Sequence, residues 1–392
     1  MNKMVVALTG ATGLLGSNIL FELLKRYEGS PGSLTIWVLG RAGKQLSLRE
    51  RIRQLLANDG AHYLNMPDTA PLLECIRTVD CHLGQPNLGI SEDSFRKMKK
   101  EPPHLFIHAA AALDFRDQAA VLDLLQKINV EGTQQALNLA EALGTPGFAM
   151  ISTAYVCGIR SGVANPNFMP EDQLFRNPYE RSKLDGERLV RRAEQEGRFR
   201  RVYFFRPTTI CGRLIEHPVG YTPKFDVFYA WLAFFLRLKA RQLGHMDYET
   251  PAKIDIRVAL KPGSGLNIIP VDYAAKALVE ISLQQPPSNA FHLASPYLTD
   301  NYEDLPALLK FINVHLPTFV EEMPPALNTL EYLYYHRSVG KIYDPYISKN
   351  VPDFSLDSLH QHLPTGFPKC PAVKGTVMTQ LLKFAKKHDF GL

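Results

Sequence analysis

The junction between an apolar run, Met4-Val5-Val6-Ala7-Leu8, and Thr9-Gly10-Ala11-Thr12-Gly13-Leu14-Leu15-Gly16 constrains this chain more than any other stretch. The run reads as a buried parallel strand, and residues 14–27 carry a helical pattern. Glycines at 10, 13 and 16 permit a tight turn and the close approach of a pyrophosphate to the helix N-terminus. There, unpaired N–H groups and the helix dipole favour negative charge. A glycine-rich match means little alone; this one stands between a strand and a helix, and a ligand-free βα turn is the bland alternative.

Strand-like segments recur at residues 34–39, 76–81, 104–108, 147–151 and 201–205, with helical patterns at 46–56, 119–143 and 179–196. This alternation predicts an α/β fold, a Rossmann-type doubly wound parallel sheet with right-handed crossovers and a smaller C-terminal substrate lobe. Ligands then lie outside the carboxyl ends of the strands. After Pro207 the pattern becomes loop-rich. A short strand is expected at 268–269, a helix at 272–283 and a strand at 290–294.

The formal charge of +5 is dispersed, which argues against nucleic acid and is compatible with an anionic cofactor or an acidic carrier partner. Arg191-Arg192 and the arginines of 198–201 read as solvated helix faces. The five cysteines, Cys75, Cys81, Cys157, Cys211 and Cys370, lack metal-ligand spacing, so no metal is expected; reduced thiols in a cytoplasmic protein are the simplest account. No signal peptide is expected. The apolar stretch 225–238 contains Asp226 and Arg237 and is too short for a membrane span.

In Tyr179-Glu180-Arg181-Ser182-Lys183, Tyr and Lys stand four apart on one helical face. An ammonium beside a phenol is expected to lower its pKa and make Tyr179 a general acid near neutral pH. Ile151-Ser152-Thr153-Ala154-Tyr155 places hydroxyls at a strand end, and alternation favours Thr153 over Ser152 as the group facing the cleft. Tyr155 reads as pocket wall. Arg41, ending the second strand, suits the 2′-phosphate of NADP where an acidic residue would suit NAD. Lys44, Arg49 and Arg51 lie downstream as further cations.

Taken as a set, several stretches resemble extended short-chain dehydrogenase/reductases. More narrowly they resemble the thioester-reductase branch, which includes fatty acyl-CoA reductases and the terminal reductase domains of carboxylic acid reductases and nonribosomal peptide synthetases. The stretches are 9–16, 82–91, His108-Ala109-Ala110-Ala111, Asn129-Val130-Glu131-Gly132-Thr133, 151–158, 179–183, 206–212 and Ile269-Pro270-Val271-Asp272-Tyr273. The resemblance covers roughly residues 4–285. It implies Thr153, Tyr179 and Lys183 as catalytic groups, with Lys183 also on the nicotinamide ribose. It implies Thr12, Gly13, Leu14 and Leu15 at the pyrophosphate, Arg41 at the 2′-phosphate, and Ala109 and Ala110 beside the ribose. Pro207, Thr208, Thr209 and Ile210 fall near the nicotinamide amide, and Asn129 is structural. One departure stands out: the family's Gly-Asp-Leu is Cys81-His82-Leu83 here. That leaves a backbone contact from Leu83 at the adenine and an open role for His82.

The resemblance implies an NADPH-dependent reductase of an acyl thioester, on CoA or a separate carrier protein, to aldehyde or on to alcohol. The same Thr/Tyr/Lys set also serves ketone or aldehyde reductases, sterol-type dehydrogenases and sugar-nucleotide epimerases. A non-catalytic NADP-sensing protein is the reading from another class. The expected division is an NADP-binding domain at 1–210, with 268–295 returning to it, and a substrate lobe from 211–267 and 296–392. Aromatic residues at 221–236 read equally as acyl-channel wall or core. The run 332–336 reads as core, and Tyr343-Asp344-Pro345-Tyr346-Ile347 suggests no chemistry.

Overall fold

The computed structural model describes residues 3–28, 30–169, 171, 173–347 and 351–392. Seven strands form one parallel sheet: β1 (Met4–Thr9), β2 (Leu34–Gly40), β3 (Ile76–Asp80), β4 (Leu105–His108), β5 (Gly147–Ile151), β6 (Arg201–Pro207) and β7 (Asn289–Leu293). Their spatial order is β7-β6-β5-β4-β1-β2-β3. The chain reverses its direction of growth between β1 and β4, which pair from Val6↔Leu105 to Thr9↔His108. A crevice opens at such a reversal, beyond the carboxyl ends of the strands.

The inner strands are buried on both faces because helices cover both, whereas the edge strand β3 exposes Arg77 and Asp80. On one face α1 (Leu14–Arg26) packs against α2 (Val271–Gln284), numbering here only the helices that shape the crevice. On the other, α3 (Gly132–Leu143) packs against α4 (Pro178–Gln195). The expected helix over 119–143 is one rod with a π-helical turn at Gln126–Glu131. A second π turn, Leu56–Gly60, carries Asp59. Each turn adds a residue and re-aims a buried polar side chain inward.

Thr209–Cys211 and Ile268–Pro270 pair with each other outside the main sheet. A third core lies in the C-terminal part, around α5 (Phe228–Leu243) and α6 (Val339–Ile347). Tyr334 and Tyr335 are buried in it, whereas Tyr332 is exposed. Among the described residues no helix is long and apolar enough to cross a membrane. Of the arginine clusters, Arg192 and Arg200 are exposed as expected, whereas Arg191 and Arg198 are half-buried. The Arg191 guanidinium lies 4.2 Å from the Phe204 ring centre, and Arg198 pairs with Glu141 at 2.6 Å.

Two buried ion pairs tie these layers together. Arg213 donates to both Asp59 oxygens at 2.6 and 2.8 Å and to Asn18 of α1 at 2.8 Å. Arg206, at the end of β6, donates to both Glu187 oxygens at 3.0 and 2.6 Å, linking that strand to α4. Both members of the second pair are inaccessible to solvent. Removing one charge leaves the other buried and unpaired. Glu187→Ala is therefore expected to cost about 3–5 kcal/mol in urea denaturation, and the apolar pair Glu187→Leu with Arg206→Met to recover most of it.

Candidate active site

The turn after β1 is closed by backbone contacts that admit no side chain. A Cβ on Gly16 would lie 2.0 Å from the Gly10 carbonyl oxygen. One on Gly10, whose φ is +76°, would lie 2.7 Å from the Ala110 nitrogen. The loop is thus pressed against Ala109 and Ala110, which follow β4, and Ala110 N–H donates to Thr9 Oγ1 at 3.2 Å. Gly13 is the N-cap of α1; no side chain caps it, and the first turn holds no acidic residue. The positive end of this thirteen-residue helix therefore stands without a compensating side chain, a setting that favours negative charge.

Arg41 is exposed beyond β2, and Arg51 crosses from it to the glycine loop. Arg51 donates to the Arg41 carbonyl at 2.6 Å and to Thr12 Oγ1 at 3.0 Å. The Arg51 guanidinium thus reaches the loop and the Arg41 backbone together, whereas Arg49 lines a separate surface hollow with Lys3 and Arg77. His82 is exposed; its N–H donates to the Leu88 carbonyl, and Leu83 packs beside Gly132.

Helix α4 begins at a proline capped by Asn177, which fixes its first turn and carries Tyr179 and Lys183 to the crevice. The buried Lys183 ammonium donates to the Ile151 carbonyl at 2.7 Å, at the end of β5. Burial lowers its pKa to about 8. Tyr179 lines the cavity, its ring edge-on to Phe115 at 5.6 Å. Its phenol is pushed up, first by burial and then by Glu180, opposite to the lowering expected from Lys183. The group therefore rests protonated, as a proton donor.

Asn129, in the π turn, accepts from Ala112 N–H at 2.8 Å and donates to the Ala112 carbonyl and to Ser182 Oγ. It joins the loop after β4 to the helix carrying Tyr179. His108 lies deeper, between Thr9 and Thr133 at 3.0 and 3.3 Å, and burial depresses it to about 3.

Thr153 and Ser152 both line the same cavity. Thr153 Oγ1 donates weakly to the Pro207 carbonyl at 3.4 Å. Ser152 Oγ is buried and finds no partner among the described residues, so alternation alone did not separate the two hydroxyls. Pro207, Thr208, Thr209, Ile210 and Leu14 share this cavity wall. The Tyr155 hydroxyl lies 3.1 Å from Thr209 Oγ1.

The cavity measures about 290 Å³, and its opposite wall comes from the C-terminal core. Sequence reasoning missed two of its members, Tyr343 and Tyr346, three apart on α6. The Tyr346 hydroxyl donates to Glu180 at 2.6 Å and accepts from Asn177 at 2.7 Å. The Tyr343 hydroxyl accepts from Val227 N–H at 3.0 Å. Val227 holds φ +56°, a strained value for a β-branched residue, at the start of α5. The i, i+3 spacing of these tyrosines was the available signal, though it names no partner.

A family model described as male sterility protein matches residues 8–278. Isonitrile lipopeptide synthase of Streptomyces coeruleorubidus is 27% identical over 307 residues, which cover 76% of this chain and 18% of that protein. Fatty acyl-CoA reductase 1 of Pongo abelii is 32% identical over 152 residues, covering 38% of this chain and 28% of that protein. The chain thus spans a small part of the curated relatives it matches. A solved terminal R domain from the myxalamid PKS-NRPS biosynthetic pathway superposes with TM-score 0.72 at 22% identity, over 100% of this chain and 92% of that one, and shares its fold.

The depressed Lys183 sets a pH signature. Between about 8 and the ordinary lysine value of 10.5, the unfolded chain holds a proton that the folded one has released. Stability from this group therefore rises with pH across that window. Denaturation of wild type and Lys183→Met at pH 7, 8, 9 and 10 is expected to show wild type gaining on the variant, by up to about 3 kcal/mol in all.

Proposed function

The chain belongs to the male sterility protein family, and from that premise we propose that it is an NADPH-dependent reductase of an acyl thioester, releasing an aldehyde and a free thiol. One observation carries this reading: Thr153 and Tyr179 line one largely apolar cavity together with Leu14 of the glycine loop, and Lys183, one helical turn on from Tyr179, is buried against the Ile151 carbonyl just before Thr153. The nicotinamide cofactor, when bound, supplies the hydride.

Gly10, Thr12, Gly13, Leu14, Leu15 and Gly16 hold the diphosphate against the α1 N-terminus. Arg41 and Arg51 take the 2′-phosphate, which favours NADPH over NADH. Ala109 and Ala110 border the ribose, Leu83 the adenine, and Pro207, Thr208, Thr209 and Ile210 the nicotinamide. Lys183 serves the ribose hydroxyls and keeps positive charge beneath the site below pH 8.

As the thioester carbon is reduced, its oxygen becomes an oxyanion. Thr153 donates a hydrogen bond to it and Tyr179 donates its proton, giving a hemithioacetal. The carbon–sulfur bond then breaks as the hydroxyl proton returns to the Tyr179 phenolate, and the departing thiolate takes a proton from water, so that aldehyde and thiol separate. A further round with the aldehyde as substrate uses the same donors and yields the alcohol.

The division of labour follows. Residues 1–210 with 268–295 bind the nucleotide, and 211–267 with 296–392 shape the acyl site. CoA or a carrier protein presents the acyl group. The apolar lobe wall disfavours a nucleoside-diphosphate sugar in that position, which argues against the epimerase reading.

Tyr179→Phe is expected to lower kcat by about 10²–10⁴-fold, in an assay of NADPH oxidation with a thioester, while NADPH affinity by fluorescence is unchanged. Arg41→Ala and Arg51→Ala are each expected to raise the NADPH KM about 10–100-fold and leave the NADH KM nearly constant. Equal effects on both cofactors would overturn the 2′-phosphate assignment.

A further inference from the structure

The wall facing Thr153 and Tyr179 is built from Phe228, Trp231, Leu266, Leu305 and Ile347. All five belong to the continuous C-terminal core, so packed side chains lie behind them. Trp231 cannot easily swing aside. Its Nε1–H donates to the Tyr334 hydroxyl at 2.9 Å, and its ring meets Phe235 at 4.7 Å. Tyr334 is itself fully buried. This wall is a stop, not a tunnel.

The space before that stop is small. An apolar cavity of roughly 150 Å³ holds one benzene ring. On the reductase reading, the cavity of about 290 Å³, lined by Pro207, Thr208, Thr209 and Ile210, takes the nicotinamide ring as well as the acyl group. What remains fits one six-membered ring or a chain of about six carbons.

Among the described residues, the charged groups that line the cavity are Glu180, Lys224 and Asp226. Lys224 and Asp226 are exposed, at the rim. Glu180 is spent on its neighbours: one oxygen accepts from Tyr346 at 2.6 Å and the other from Arg176 N–H at 3.0 Å. A charged acyl terminus would be desolvated there without a partner.

We infer that the acyl group is compact and uncharged, a single ring or a chain of about six carbons, and that long fatty acyl and dicarboxylic acyl groups are excluded. This rests on the reductase reading above and narrows it. The test compares benzoyl, hexanoyl, palmitoyl and succinyl thioesters of CoA and of pantetheine as substrates for NADPH oxidation. Binding of the non-reducible thioethers S-benzyl-, S-hexyl- and S-hexadecyl-pantetheine is measured alongside by calorimetry.

Benzoyl or hexanoyl turnover at least about tenfold above palmitoyl and succinyl in kcat/KM, with thioethers ranked the same way, supports the inference. Palmitoyl or succinyl equal to or better than the compact groups overturns it and leaves the reductase reading standing. Size-ranked thioether binding with no turnover of any thioester supports the compact cavity and overturns the reductase reading. Trp231→Ala is expected to shift the chain-length preference upward. Leu305→Ala tests the same wall if the tryptophan variant does not fold, and an unchanged preference in a folded variant of either kind counts against the stop.

Discussion

The rest of the structure depends on one contact, where Gly10 backs onto Ala109 and Ala110 at the carboxyl ends of β1 and β4. The two strands are neighbours in the sheet but about a hundred residues apart in sequence. Their connections leave toward opposite faces, and the gap between them is the crevice. A side chain on Gly10 or Gly16 would force the loop off this seat. The uncapped N-terminus of α1 would then no longer face the opening.

The helix carrying Tyr179 is held to that crevice by polar groups with little freedom to move. Ser182 binds Asn129, Lys183 binds the Ile151 carbonyl, and Glu187 binds Arg206. These residues lie along one face of α4, and each engages a different element. Burial makes such links costly to break, since each lost partner leaves a desolvated polar group behind. The same burial acts on the ionisable groups in opposite directions. It favours the neutral amine at Lys183 and the neutral phenol at Tyr179. A lysine four residues from a tyrosine therefore does not by itself ionise it. Where the ammonium points, and how dry the phenol is, decide that.

Much of the sheet was legible because its strands are apolar runs separated by amphipathic helices, a pattern that needs no long-range information. The positions of the glycine loop, Tyr179, Lys183 and Arg41 in the fold were legible because each stands at a fixed offset from such an element. Ser152 was harder to read. The chain turns at the end of β5, so strict alternation no longer says which hydroxyl faces the cleft. Tyr343 and Tyr346 were illegible, since their partners Val227 and Glu180 are more than a hundred residues away. The π turns at 56–60 and 126–131 were missed for a related reason: a helical pattern does not reveal an inserted residue when a buried Asn or Asp accounts for it.

By itself, then, the sequence determined the parallel α/β architecture, the glycine turn that leaves a helix N-terminus uncapped, and the hydroxyl-bearing residues that follow β5. Those follow from local periodicity and from backbone sterics, which act between near neighbours. The tertiary structure alone decided that Arg51 bridges the Arg41 carbonyl and Thr12, that burial pushes the Tyr179 phenol up, and that a wall backed by Trp231 and Tyr334 bounds the cavity. Each of these depends on desolvation or on contact between distant segments, and both are set only once the chain has packed.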